Sequence, residues 1–229
     1  MSAVLSPYYD PGYEDAVRDG RASHRDTIGG MWEEHGTFQR DFLISQGLLP
    51  HHRLLDVGCG SFRAGVKLVP YLDPAHYYGI DLNASLLEMG YEREIEPLGL
   101  ADRLPRENLA ATGEFRAEGF GATFDFALAQ SVFTHLPINH LRVALERLGP
   151  VMASGGIFFA TYFEVPNDTI TADPLIQQPG GVITYPDRDP YHMRVADLEH
   201  AAIGTQWRLV SAGGWGHPKA QQMARFQWK

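Results

Sequence analysis

The sequence is short of several things at once. It holds one cysteine, Cys59, so neither an intrachain disulfide nor a cysteine-rich zinc site can form. Ten histidines are present, yet none falls in a metal-ligand spacing such as HExxH, and no metal is expected. No apolar run reaches the roughly 18 residues that span a bilayer. The stretch MSAVLSPYYDPGYED lacks the basic and then apolar segments of a secretory signal. Positive charge is also scarce. Nineteen Lys and Arg against 28 Asp and Glu give a formal net charge of −9, the wrong sign for life on a phosphate backbone. Internal repeats and low-complexity tracts are absent. The expectation is a cytoplasmic protein with no membrane or nucleic-acid partner.

What remains is an ordinary globular composition. With 229 residues, 44% hydrophobic and 21% charged, the chain is ample for one α/β domain with additions. Residues 1–12, rich in Pro, Tyr and Gly, read as loose. From 13 to 47 the spacing of Trp32, His35, Phe38, Phe42 and Leu43 predicts helix, with Gly47 as its stop. Short apolar strands follow at 53–58, 77–82, 124–130 and 155–163. Helical patterns lie between them at 63–72, 83–99 and 138–152. The segment 100–114 reads as a polar connection. Residues 164–193 hold five prolines and no periodicity, the character of a lid or binding loop. A helix at 194–203 and strands at 206–212 and 221–228 complete the chain.

Alternating strands and helices predict a seven-stranded, mostly parallel, Rossmann-like sheet with helices on both faces. The last strand should be antiparallel, because only a short glycine-rich connection precedes it. The expected organisation is an N-terminal helical lid segment, 1–48, and a main domain, 49–229, with 164–193 as a substrate-lid insertion.

The stretch LLDVGCGSFR, residues 54–63, carries the first chemical signal. Strand, glycine turn and helix start follow one another, as at a nucleotide site at the carboxyl end of a strand. Gly58 and Gly60 let the backbone approach a ligand closely. Asp81 ends the next strand, 23 residues beyond Gly58, near the spacing at which an acid binds ribose hydroxyls. Arg63 stands where the dinucleotide fingerprint has its third glycine. Asp56 adds a negative charge two residues before the turn, which opposes a pyrophosphate and suits a ligand with an ammonium group. A ribonucleoside with a cationic tail, such as S-adenosylmethionine, satisfies both acids.

LLDVGCG, YYGIDL, FDFALAQSVFTHL and GGIFFATYF, in this order, resemble the successive motifs of class I S-adenosylmethionine-dependent methyltransferases. The resemblance covers residues 53–163. It implies that Asp56, Gly58, Cys59 and Gly60 hold the methionine part, Asp81 the ribose and Leu82 the adenine, with Gln130 and Ser131 bordering the methyl group. Glu118 and Phe120 are candidates for a further adenine contact. A softer likeness, through SFR and GWGHPKAQQM, is to small bacterial enzymes that methylate sugars and secondary metabolites. A small-molecule acceptor methylated at oxygen is the first expectation and N-methylation the nearest variant. A nicotinamide-dependent enzyme and a silent cofactor-binding module are the rivals from other classes.

Methyl transfer needs alignment above all, and a hydroxyl acceptor gains from a base near neutral pH. His135 follows the fourth strand and is either that base or a residue that orders the turn before Pro137. His192 at the end of the lid and Glu164 at the end of the fifth strand are further candidates for base or acceptor contact. His217 reads as structural, and Tyr185 and Tyr191 either wall the acceptor or pack the lid. Arg18, Arg21, His24 and Arg25 form a basic cluster that either meets an acceptor anion or faces solvent.

Overall fold

A computed structural model describes residues 6–229. Three helices, α1 (Pro11–Arg18), α2 (His24–Thr27) and α3 (Trp32–Ser45), come first. The single helical stretch expected from 13 to 47 is thus interrupted twice. The interruptions fall at glycines with left-handed backbone, Gly20 and then Gly29 and Gly30, a conformation that helix excludes. The loose N-terminus expected at 1–12 is also revised: Pro7–Tyr9 forms a 3-10 turn and Asp10 caps α1. The part of that expectation at 1–5 lies outside the described residues.

The sheet contains β1 (Leu54–Val57), β2 (Tyr77–Asp81), β3 (Leu109–Ala111), β4 (Phe124–Ala129) and β5 (Met152–Glu164). It is completed by β9 (Trp207–Gly214) and β10 (Gln222–Trp228). Their order is β3-β2-β1-β4-β5-β10-β9. β1 to β5 run parallel, and β10 is antiparallel to both neighbours. Between β1 and β5 lie α4 (Gly65–Leu68), α5 (Ala84–Gly90), continued by a wider π turn at Tyr91–Ile95, and α6 (Ile138–Leu148). β3 falls inside the expected polar connection. Three residues with a mixed burial pattern carry too little periodicity to be seen in advance.

All four residues of β1 are buried, as in a strand covered on both faces. Leu55 and Val57 join one apolar cluster with β4, α6 and β10 residues, and Leu54 joins the other with α3 and α4 residues. The two clusters are the two faces of the sheet.

The segment 164–193 is built rather than open. It contains a hairpin, β6 (Leu175–Gln177) with β7 (Val182–Thr184), and β8 (His192–Met193), which pairs parallel to the end of β5. The backbone N–H of Tyr191 donates to Thr134 O at 2.8 Å, so the segment returns to the loop after β4. α7 (Val195–Ala202) then leads into β9.

Candidate active site

The strand order reverses between β1 and β4, and the main cavity opens there, at the carboxyl ends of the strands. It encloses about 1000 Å³ including its open mouth, within the range that holds a nucleoside-sized ligand. Its wall takes Asp56, Gly58, Cys59 and Gly60 from the first turn, Asp81 and Leu82 from the end of β2, and Gln130, Ser131 and His135 from the segment after β4. Ser6, Tyr8 and Tyr9 close the N-terminal side. Of the expected cofactor residues, all eight are therefore brought together at one cavity.

The turn needs its glycines. Gly58 has φ +75°, and a Cβ there would stand 2.5 Å from Val132 Cγ2. Gly60 has φ +55°, and its Cβ would stand 2.9 Å from Ile28 Cγ2. The backbone thus forms a cradle that a side chain would fill. Phe62 also takes a left-handed φ of 69°, a cost of roughly 1–2 kcal/mol for a residue with a Cβ. Its ring is fully buried, and burial of a large apolar side chain stabilises by about 1.5–3 kcal/mol, enough to hold the strained backbone.

Asp81 is pinned by the same turn. Gly60 N–H donates to Oδ2 and Asn83 N–H to Oδ1, both at 2.8 Å. A carboxylate accepts about four hydrogen bonds, so acceptor capacity remains for two hydroxyls. Burial raises its pKa, and the two backbone donors oppose that rise. Asp56 is 4% exposed and accepts a 2.7 Å hydrogen bond from Tyr77 Oη. Burial pushes its pKa up to about 7. The Tyr77 hydrogen bond and Arg63 act the other way, while the charge of Asp81 adds to the rise. Cys59 is buried, and its thiol is pushed well above its ordinary range, so it supplies no thiolate.

Two residues that the sequence made conspicuous have defined surroundings. Arg63 is buried. Its Nη1 donates to Ile28 O and Gly30 O, each at 3.0 Å, and Nη2 donates to Gln130 Oε1 at 2.8 Å. His135 faces Asp189: Nδ1 lies 2.7 Å from Oδ1. The other carboxylate oxygen of Asp189 accepts from Ser6 Oγ at 2.7 Å, and the Tyr8 ring packs edge-on to the imidazole with centroids 5.0 Å apart. Asp189 lies 54 residues from His135 in a segment without periodicity, and Ser6 is farther still. No sequence signal linked them.

Other candidates lie elsewhere. His192 is buried, with Nδ1 2.9 Å from Thr184 Oγ1 and Nε2 3.0 Å from Thr171 O. Both ring nitrogens are engaged, so it pins the lid segment and has no lone pair free for a base. Glu164 is outside the cavity wall and accepts a long, 3.4 Å, hydrogen bond from Tyr162 Oη. Glu118 is exposed and pairs with Arg116, and Phe120 packs on Tyr78 and Phe124. Thr112, Gly113 and Phe115 occupy the cavity wall instead. The basic cluster divides between a buried acid and the solvent-exposed surface. Arg25 forks onto Glu94 at 2.6 and 2.7 Å, buried His24 meets the same carboxylate, and Arg18 pairs with Asp15 and Asp19. His217 stacks with Trp215 and stands edge-on to His35 at 4.9 Å. Burial lowers the pKa of His35 to about 4 and that of His217 to about 3, with Arg63 adding to both shifts. Among the described residues no group of acids, histidines and cysteines could hold a metal ion.

Comparison with known proteins agrees with this geometry. A family model described as a methyltransferase domain matches residues 55–158, the span of the glycine turn, Asp81 and the β4 motif. The matched span, together with the motifs it contains, supports the class I S-adenosylmethionine-dependent methyltransferase superfamily. Solved methyltransferases share its fold. Magnesium protoporphyrin IX methyltransferase from Synechocystis PCC 6803, with bound S-adenosylmethionine, is 13% identical over 100% of both chains, with a TM-score of 0.61. An S-adenosylmethionine-dependent methyltransferase from Clostridium acetobutylicum ATCC 824 is 12% identical over 95% of this chain and 96% of its own, at 0.60. A glycopeptide N-methyltransferase complexed with S-adenosylhomocysteine is 15% identical over 85% and 90%, at 0.61. The methyltransferase-domain match supports S-adenosylmethionine as the cofactor over the nicotinamide alternative. No helix among the described residues is long and apolar enough to cross a membrane.

Proposed function

We propose that this methyltransferase transfers the methyl group to a hydroxyl of a small-molecule acceptor, a sugar or secondary metabolite, with His135 as general base. The observation that carries the reading is the 2.7 Å contact between His135 Nδ1 and Asp189 Oδ1 at the cavity wall. A carboxylate on Nδ1 keeps the proton on that nitrogen and leaves Nε2 as the acceptor. An amine acceptor can lose its proton before it enters, whereas a hydroxyl profits from a base held in place.

In this reading the residues divide the cofactor between them. Asp81 accepts the two ribose hydroxyls. Leu82 lies against the adenine, with Phe115 beyond it. The Gly58–Gly60 backbone cradles the amino-acid tail, and Asp56 meets its ammonium group. Cys59 is a small turn residue. Gln130 and Ser131 border the reacting centre. When bound, S-adenosylmethionine supplies an electrophilic methyl on a sulfonium. His135 would take the hydroxyl proton on Nε2 as the acceptor oxygen receives the methyl group, for which the thioether would be the leaving group. Asp189 stabilises the imidazolium. Residues 6–48 and 164–193 serve as covers of the site over the remaining domain, a role supported by the hydrogen bond from Ser6, in the cavity wall, to Asp189. The protein works in the cytoplasm without nucleic acid or membrane.

His135→Ala tests the reading. We expect a fall in kcat of about 10²–10⁴-fold with S-adenosylhomocysteine affinity kept. Unchanged turnover at saturating acceptor would remove His135 as base. A silent module would release no S-adenosylhomocysteine with any acceptor of a broad panel.

A further inference from the structure

Arg63 is the one lysine or arginine in the cavity wall among the described residues, and its environment is unusual for a guanidinium. It is 7% exposed. Its three hydrogen bonds all go to uncharged oxygens: two backbone carbonyls and the Gln130 amide. No carboxylate forms an ion pair with it among the described residues, and Nε–H has no partner there. Of five N–H donors, Nε–H and one on Nη2 are left. Nearby His35 and His217 are held neutral by burial, so they add no charge of their own. The charge of Asp56 favours the guanidinium without pairing with it; a buried cation with no directly paired carboxylate is costly, and the cost is tolerated where a ligand brings the missing anion.

We propose that Arg63 receives the α-carboxylate of the S-adenosylmethionine tail. This rests on the assignment of the Gly58–Gly60 cradle to that tail. Asp56 and Arg63 then present opposite charges to the two ends of a zwitterion. Arg63 reads the carboxylate, and Gln130 and the carbonyls of Ile28 and Gly30 hold the guanidinium in place for it. The arginine at the expected third glycine becomes a specificity residue: it distinguishes the amino-acid cofactor from adenosine thioethers without a carboxylate.

The test is calorimetry with S-adenosylhomocysteine and with its decarboxylated analogue, which keeps the amine and lacks only the carboxylate. The wild-type protein should bind the analogue at least tenfold more weakly, because a buried charge-assisted contact is lost. In Arg63→Met the two ligands should bind within about twofold of each other, and Arg63→Lys should restore part of the preference. A purely structural arginine would weaken both ligands in parallel and leave the ratio intact, which overturns the proposal. A wild-type ratio under about threefold overturns it as well, even if Arg63→Met fails to fold. Failure of both ligands to bind the wild-type protein would instead remove the cradle assignment, and this proposal with it.

Discussion

The carboxyl of Asp56 makes cofactor binding depend on pH in a direction that can be worked out. Burial raises its pKa to about 7, against about 3.9 for an exposed aspartate. Tyr77 Oη from β2 donates to it, Asp81 opposes its ionisation, and Arg63 before α4 favours it. Between about pH 4 and 7 the folded protein holds a proton here that the unfolded chain has released. The ligand-free protein therefore loses stability as pH rises through this window, by on the order of 4 kcal/mol in total.

Binding runs the other way. An ammonium group beside Asp56 favours the ionised carboxylate, so the ligand must displace a proton below about pH 7. If the bound pKa drops by two or more, S-adenosylhomocysteine binds about tenfold more weakly at about pH 6 than at about pH 8. Calorimetry in buffers of different ionisation enthalpy should show nearly one proton released per ligand near pH 6 and almost none near pH 8. Asp56→Asn keeps an acceptor for Tyr77 Oη and should abolish both the proton release and the pH slope. A flat wild-type affinity with no proton release would refute the pairing of Asp56 with the ammonium.

Three further outcomes are expected. Asp81→Ala removes the acceptor for two ribose hydroxyls and should weaken S-adenosylhomocysteine by at least tenfold, since each charge-assisted bond contributes roughly 1.5–3 kcal/mol; a loss under twofold in titration speaks against the ribose role. Asp189→Asn should lower kcat while cofactor affinity stays within twofold, because the imidazole loses the carboxylate that orients it; parallel losses in both would make the pair structural. Gly58→Ala should lower Tm through the 2.5 Å approach to Val132 Cγ2, and adding Val132→Ala should recover part of the loss but not all, since the positive φ still costs about 1 kcal/mol.

Much of this arrangement was legible in the sequence because local rules and long-range ones agree there. β1, β4 and β5 are apolar runs buried on both faces, and the acids at their neighbours' ends stand out against them. The turn after β1 was readable for the same reason: Gly58 and Gly60 have left-handed backbones that no alternating pattern explains. What escaped depends on tertiary contact. Asp189 meets His135 only because β8 and the Tyr191–Thr134 hydrogen bond bring the lid segment back over β4. Ser6 and Tyr8 reach the cavity by crossing from the N-terminus. His192 looked available in the sequence, but its two ring nitrogens are engaged by Thr184 and Thr171 O in the folded segment. Arg63 was visible as a departure from the fingerprint, yet its buried, unpaired state is a property of packing. Within the basic cluster, Glu94 of the π turn takes both His24 and Arg25, whereas Arg18 and Arg21 face solvent.

The most direct measurement is a crystal structure of the protein with S-adenosylhomocysteine. Both ribose hydroxyls are expected on Asp81, the ammonium at Asp56, the carboxylate on Arg63 and the sulfur turned toward the His135 side of the cavity. A ribose bound away from Asp81, or a tail that leaves the Gly58–Gly60 turn, would contradict this arrangement.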